Sequence, residues 1–264
     1  MRNTPIIVTG FYRSGTTLLR RLLDAHSRIY CGPQIKFFSN VFGDSFDDPL
    51  ASNRLFRTLE DQGLATQEFL PFWGEALLKT YDLLCKKYQK QRWADKNPDS
   101  IRYLPQWDDL LGRDCYDIVY IQRHPVDTLA SLAEIEFKYS VPESFDAKME
   151  WYMTDLKTII ERLQNGSNIH VIRYEDLVFD PKANLTRLMH SIGESFEDCM
   201  LNGWQSSERR RGIEDPMIDT RKIIDADSVG RGYDMLYEEV IDEIEERVLP
   251  LCNTLLDCAS LRTY

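Results

Sequence analysis

A glycine-containing loop near the start of the chain has residue types that bind phosphate. Its residues are Gly10-Phe11-Tyr12-Arg13-Ser14-Gly15-Thr16-Thr17. The glycines have the G-x-x-x-x-G spacing of a P-loop, whose backbone N–H groups cradle phosphate oxygens. Thr16 replaces the lysine that follows the second glycine in nucleotide triphosphatases, and Arg13 supplies a cation inside the loop. The loop therefore favours a donor with one 5′-phosphate over ATP, although a tight turn between a strand and a helix has similar spacing.

A second polar group follows the β-type segment 116–121. Arg123 comes directly after it, and Ser131 lies eight residues on, about two turns into the next predicted helix. A guanidinium fork and a hydroxyl suit a second phosphate. A triphosphatase would place a magnesium-binding aspartate at such a strand end, where this chain has Ile121 and Gln122. A solvated arginine and an ordinary helix serine are the alternative interpretation.

Three further positions are weaker on their own. Lys96 follows the predicted strand 91–95 and can neutralise charge on a leaving phosphate. The segment 227–233 places two glycines around Arg231, which suits a loop that folds over an anion. Tyr174 follows the predicted strand 169–173 and can stack on a ligand. Taken alone, Lys96 is better explained as a surface lysine, and an ordinary connecting loop explains the second position equally well.

These residues need a framework that brings strand ends together. β-type segments alternate with helical ones, and the predicted helices cover 17–26, 126–137, 145–164 and 236–250. This alternation predicts an α/β fold in one domain, residues 1–264, with a mostly parallel central sheet and helices on both faces in three layers. Ligands of such sheets bind at the carboxyl ends of the strands.

Composition limits the partners. The chain has 43 acidic and 32 basic residues, for a net charge of −11. This balance predicts no nucleic-acid or membrane partner, and it requires a local cationic cluster to hold an anionic donor. The six scattered cysteines form no zinc spacing, so we expect no metal and a reduced, cytoplasmic protein. The first residues lack a signal-peptide pattern, and no run reaches the ~18 apolar residues of a membrane span.

Taken together, the motifs resemble those of the sulfotransferases that use 3′-phosphoadenosine 5′-phosphosulfate (PAPS), and most closely the bacterial branch related to tyrosylprotein sulfotransferases. The loop at 10–17 with the following helix is similar to the family's 5′-phosphosulfate motif. The stretch 121–125 with Ser131 is similar to its 3′-phosphate motif. The segments at 95–98, 174–177 and 228–231 follow in the family's usual order.

The resemblance implies roles for individual residues. The 5′-phosphosulfate would be held by Arg13, Ser14, Gly15, Thr16 and Thr17. The 3′-phosphate would be held by Arg123 and Ser131, and the donor site would be lined by Tyr174, Ser228, Gly230 and Arg231. Arg13, Lys96 and Ser228 would stabilise the transferring sulfonate and the leaving phosphate. No metal is implied.

One position departs from the family pattern. Relatives of this branch carry a glutamate as general base where this chain has Gln34, in the stretch Cys31-Gly32-Pro33-Gln34. An amide cannot accept a proton as a carboxylate does. Three interpretations stay open: an altered residue that traps a complex, another base such as His26, Glu134 or Glu136, or an acceptor that needs little help. We expect Gln34 to contact the acceptor in each case.

The sequence therefore predicts an enzyme that moves a sulfonate from PAPS to a hydroxyl or amine. The expected acceptor is a small molecule or natural product, with a cationic compound of the saxitoxin type as one example. A protein tyrosine or a glycan is the alternative acceptor. A P-loop metabolite kinase and an inactive nucleotide-binding module are the rival functions.

Overall fold

One five-stranded sheet forms the centre of the protein. The structure is a computed structural model that describes residues 4–42, 54–134, 141–205 and 223–261. The strands are β1 Ile6–Thr9, β2 Ile29–Tyr30, β3 Arg92–Lys96, β4 Asp117–Gln122 and β5 Ile169–Arg173. Their order is β2-β3-β1-β4-β5, and every neighbouring pair is parallel. The prediction of a mostly parallel sheet is confirmed.

Helices cover both faces of this sheet. They are α1 Thr16–Ala25, α2 Phe37–Phe42, α3 Arg54–Asp61, α4 Thr66–Lys87, α5 Leu104–Leu111, α6 Pro125–Ala133, α7 Phe145–Gln164, α8 Tyr174–Phe179, α9 Pro181–Ser191, α10 Cys199–Asn202, α11 Glu238–Arg247 and α12 Leu249–Ser260. Short 3₁₀ helices occupy Pro98–Tyr103 and Arg231–Asp234. Within the described ranges, no helix is long and apolar enough to cross a membrane.

The two faces of the sheet carry separate hydrophobic cores. Along β1, Ile7 packs with α7 and α12 on one face, whereas Ile6 and Val8 pack with α1 and α9 on the other. Successive side chains of a strand point to opposite faces, so a continuous apolar run fills both cores. All three residues are completely buried. The result is the three-layer arrangement that the alternating pattern predicts.

The strand order places a crevice at the carboxyl end of β1. From β1 the chain moves outward to β2 and back through β3, and then crosses to β4 and β5 on the other side. Such a reversal leaves room for a ligand beyond the strand ends. The glycine loop follows β1, Arg123 follows β4 and Tyr174 follows β5, while Lys96 is the last residue of β3. The four motifs therefore meet at one edge of the sheet.

The carboxyl-terminal helix differs from the prediction. Instead of one final helix over 236–250, the chain forms α11 and then α12, with the break at Val248. Pro250 explains the break, because proline lacks an N–H group and clashes with the preceding turn inside a helix, yet fits the first turn of a new one. The predicted helix 126–137 is described only as α6, since residues 135–140 lie outside the described ranges.

Candidate functional site

The glycine loop turns sharply before α1. Arg13 and Gly15 both adopt left-handed backbone conformations, with φ of 68° and 95°. The Ser14 backbone N–H and hydroxyl both donate to the Phe11 carbonyl, at 3.1 and 2.6 Å. The positive end of α1 thus opens toward the space beyond β1, and Gly15, its N-cap, has no side chain to cover the first-turn N–H groups. This geometry suits an anion.

Gly15 also touches another part of the site. A Cβ atom at this position would lie 2.4 Å from Cδ2 of Tyr174, closer than any normal contact. The Tyr174 ring, which begins α8 after β5, therefore closes one side of the loop. Only glycine satisfies both the left-handed backbone and this close approach.

Arg123 directly follows β4 and is buried against the glycine loop. Its guanidinium donates to the Arg13 carbonyl at 3.0 Å and to the Ser228 carbonyl at 2.6 Å, and it lies 4.9 Å from the centre of the Tyr174 ring. Its Nε atom is buried and has no hydrogen-bond partner among the described residues. Burial lowers the pKa of Arg123, while Tyr174 and Asp127 oppose that shift. Arginine stays protonated under such conditions, so a fixed cation with a spare donor lies in the crevice.

The structure brings Arg13 and Ser131 together. The Nε atom of Arg13 donates to the Ser131 hydroxyl at 3.1 Å. Ser131 lies on α6, two turns beyond Arg123. The residues expected to bind two different phosphates therefore form one continuous polar surface.

Residues 223–234, called the strap below, complete the site on the α6 side. The Ser228 and Tyr174 hydroxyl groups lie 2.8 Å apart and share a hydrogen bond. The Gly230 N–H donates to Asp127 at 2.8 Å, and Arg231 pairs with Glu134 at 2.6 Å. The strap therefore contacts both Tyr174 and α6.

Lys96 and Gln34 meet at the end of β3. The Lys96 ammonium donates to Oε1 of Gln34 at 3.1 Å. Lys96 is almost completely buried, and neighbouring Asp95 accepts a hydrogen bond from the Tyr81 hydroxyl. Burial raises the pKa of Asp95, while Tyr81 and Lys96 oppose that shift. Lys96 thus faces an amide where a carboxylate would form an ion pair.

Some predicted residues have other partners. The Ser14 hydroxyl and backbone N–H both donate to the Phe11 carbonyl, so both of its donor groups are used within the loop. His26 lies beyond the far end of α1, with Nε2 3.0 Å from the Ser195 carbonyl and Nδ1 accepting from Arg28 N–H. It is too far from the loop to act as base. Glu134 pairs with Arg231, and Glu136 lies outside the described residues.

Three carboxylates near the site are not among the predicted site residues. Asp127 accepts two strap N–H groups, Glu175 accepts the His124 N–H at 2.8 Å, and Asp99 accepts the Tyr12 hydroxyl at 2.8 Å. Asp127 could have been found, because it lies midway between Arg123 and Ser131 at four-residue spacing. Glu175 and Asp99 contact residues that lie 51 and 87 positions away along the chain, and no sequence pattern links positions so far apart.

Comparison with known proteins gives a family match over most of the chain. Residues 5–198 match the model described as the sulfotransferase family. A curated but uncharacterised protein of Aquifex aeolicus (strain VF5) is 24% identical over 262 residues, covering 92% of this chain. The chain spans only 32% of the length of that relative.

Solved structures share the fold at low sequence identity. The sulfotransferase domain of the Synechococcus PCC 7002 olefin synthase is 22% identical with a TM-score of 0.66, covering 100% of this chain and 96% of that one. A sulfotransferase domain from the curacin biosynthetic pathway is 19% identical with a TM-score of 0.53, covering 100% and 98%. Mouse sulfotransferase SULT7A1, complexed with 3′-phosphoadenosine 5′-phosphate (PAP), is 14% identical with a TM-score of 0.50, covering 98% and 90%.

Proposed function

Because the chain belongs to the sulfotransferase family, we propose that it transfers a sulfonate group from PAPS to a hydroxyl or amine of a small-molecule acceptor. The observation that carries this proposal is the convergence of the glycine loop, Arg123 and Ser131 at the carboxyl end of β1. The first offers backbone N–H groups to one phosphate, and the other two offer a guanidinium and a hydroxyl to a second. Two separate phosphate positions are what PAPS presents.

On the donor side, the chain contributes fixed positive groups. The α1 N-terminus with Arg13, Thr16 and Thr17 would hold the 5′-phosphosulfate. Arg123 is already oriented by two backbone carbonyls, and its unpartnered Nε would serve the 3′-phosphate with Ser131. Donors that are fixed before a ligand binds cost no reorganisation.

The remaining donor-site residues lie around Tyr174. Its ring packs on the loop, its hydroxyl bonds Ser228, and the strap continues through Gly230 and Arg231. Bound PAPS would supply an activated sulfonate whose bond to phosphate breaks as the bond to the acceptor forms. Arg13, Lys96 and Ser228 would neutralise the charge that then builds on the leaving phosphate.

The acceptor would approach past Gln34. The amide oxygen of Gln34 takes a hydrogen bond from Lys96, so its NH₂ group is left to contact the acceptor. No proton can settle on this amide, so an acidic hydroxyl or an unprotonated amine fits the site best. The net charge of −11 favours a cationic compound, and the six unpaired cysteines favour a reducing compartment such as the cytoplasm.

A thermal-shift experiment tests the proposal against the kinase alternative. PAP without magnesium should stabilise the protein by about 2.7 kcal/mol at a 100-fold excess over Kd, which is a rise of roughly 5–10 °C in Tm. ATP with magnesium should give no comparable rise. The reverse pattern would show that the chain binds a nucleoside triphosphate instead.

Paired variants make this test specific to the crevice. Arg123→Met should abolish the shift with PAP, because it removes the buried guanidinium. Arg113→Met changes an exposed arginine outside the described site and should retain it. Turnover with labelled PAPS over an acceptor panel then separates an enzyme from an inactive binding module.

A further inference from the structure

One face of α6 carries a row of polar residues that contact different parts of the site. Asp127 and Ser131 lie one turn apart on the same face of α6, while Arg123 precedes the helix by two residues and Glu134 is its C-cap residue. Arg123 and Ser131 belong to the proposed phosphate surface. Asp127 lies between them, and within the described part of the chain its side chain accepts hydrogen bonds from the strap alone.

Asp127 binds the strap with both carboxylate oxygens. Oδ2 accepts the Gly230 N–H at 2.8 Å, and Oδ1 accepts the Gly232 N–H at 2.7 Å. The residue is 2% exposed, so these bonds are shielded from water. Hydrogen bonds from backbone N–H to a buried carboxylate are about twice as strong as neutral ones.

The strap is shaped to approach α6 at this point. A Cβ atom at Gly232 would lie 2.7 Å from the Val126 carbonyl oxygen and 2.9 Å from Cα of Asp127. The strap backbone therefore lies directly on the first turn of α6. Ser228 lies two residues before Gly230. Its carbonyl accepts a hydrogen bond from Arg123, and its hydroxyl shares one with the Tyr174 hydroxyl.

We propose that Asp127 is a positioning residue that fixes the strap on α6 and thereby places Ser228 and Arg231 for donor binding. The carboxylate is suited to this because it accepts two N–H groups at once and has no proton to donate. An asparagine would keep one acceptor and would turn an NH₂ group toward the other N–H. The proposal rests on the proposed function for its effect on donor binding, but the contact between Asp127 and the strap does not.

The test compares the unmodified chain with its Asp127→Asn variant. Hydrogen exchange without ligand should show the Gly230 and Gly232 amides exchanging at least about tenfold faster in the variant, because their charged acceptor is lost. Calorimetric titration should show Kd for PAP rising about tenfold or more. With a working acceptor, KM for PAPS should rise and kcat should fall as well, since Ser228 would no longer be held in place beside the leaving phosphate.

Two further variants guard the interpretation. Asp180→Asn makes the same chemical change at the carboxylate that caps α9, where it accepts the Ala183 N–H at 3.1 Å, and PAP affinity should be unchanged. Gly232→Ala adds a methyl group that displaces the strap from α6 and leaves Asp127 unchanged. It should weaken PAP binding as Asp127→Asn does, and it replaces that test if Asp127→Asn folds poorly.

The outcomes distinguish the contact between Asp127 and the strap from the effect of that contact on donor binding. If the Gly230 and Gly232 amides of Asp127→Asn exchange at wild-type rates, Asp127 does not fix the strap on α6. Faster exchange with wild-type PAP affinity would overturn the positioning role. If the wild-type chain itself fails to bind PAP, the proposed function fails, and the exchange measurement still decides whether Asp127 holds the strap.

Discussion

Gln34 stands where the resemblance leads us to expect a glutamate, and it lies beside Lys96. The two side chains are hydrogen-bonded at 3.1 Å at the end of β3. An amide there contributes hydrogen bonds but no basicity. If Gln34 faces the acceptor as predicted, the proton of the acceptor would leave by another route, which would limit the acceptors that react well.

Gln34→Glu restores a carboxylate and should raise turnover. With a hydroxyl acceptor found by the labelled-donor screen, kcat should increase by up to ~10²–10⁴. The rate profile should also gain an acidic limb, because the new carboxylate is inactive when protonated. Steady-state kinetics between pH 5 and 9 measure both effects.

The matched control is Gln91→Glu. Gln91 also offers its amide oxygen to a cation, Arg28, but lies just before the opposite end of β3. Its turnover should equal that of the unmodified chain. Unchanged kcat and acceptor KM in Gln34→Glu would show that Gln34 does not face the acceptor.

At the scale of elements, the glycine loop depends on its contact with α8. Gly15 and Gly63 share left-handed backbones, with φ of 95° and 89°. A Cβ atom at Gly63 meets nothing within 4 Å, whereas one at Gly15 meets the Tyr174 ring at 2.4 Å. The two positions thus separate backbone strain from steric clash.

Gly15→Ala should be the more damaging substitution. Gly63→Ala should cost about 1–2 kcal/mol of unfolding free energy from the backbone alone. Gly15→Ala should lose a further 1–3 kcal/mol or so through overpacking against Tyr174, and it should lose PAP binding. Urea unfolding and titration with PAP provide the measurements. Equal destabilisation by the two variants would contradict the packing of Tyr174 on the loop.

Elements with local signals could be predicted, and those set by distant contacts could not. The helix over 145–164 and the strand over 169–173 match α7 and β5, because periodicity and the Ser144 N-cap are local features. The break at Val248 was missed, although Pro250 was visible. The contacts of Asp127 with the strap span more than 100 residues, and no periodicity reports such a pairing.

At the scale of the whole molecule, the family prediction is confirmed by the match over residues 5–198. The glycine loop, Arg123 and Tyr174 could be placed from the sequence because each comes directly after a strand, and parallel strands end at one edge. The roles of individual site residues stay predictions. The length and packing of α4, between β2 and β3, could not be anticipated from its mixed aromatic and charged sequence.

Stability should depend on pH through Asp155. This buried carboxyl on α7 has its pKa raised to about 8 by burial, an effect that Arg102 opposes and Asp99 reinforces. Between the unfolded value of 3.8 and about 8, the folded protein holds one more proton than the unfolded chain. The free energy of unfolding should therefore fall as pH rises through that window, by at most about 1.4 kcal/mol per pH unit.

Asp155→Asn should remove this contribution, because an amide stays neutral throughout. The gain in stability over the unmodified chain should grow from pH 5 to pH 8 in urea unfolding. Asp114→Asn, at an exposed position, should keep the original pH dependence. Parallel pH profiles for the unmodified chain and Asp155→Asn would contradict a protonated Asp155.

The strap has a consequence for where this protein can be cut. The five strands within the described ranges end before residue 174, so a fragment trimmed to the family match at residue 198 would retain all of them. It would lack Ser228, the carbonyl partner of Arg123, and it would also lack Ile244 and Leu255, which are fully buried in the core. Shortening the chain to the family signature would therefore remove a wall of the candidate site and part of the hydrophobic interior in one step.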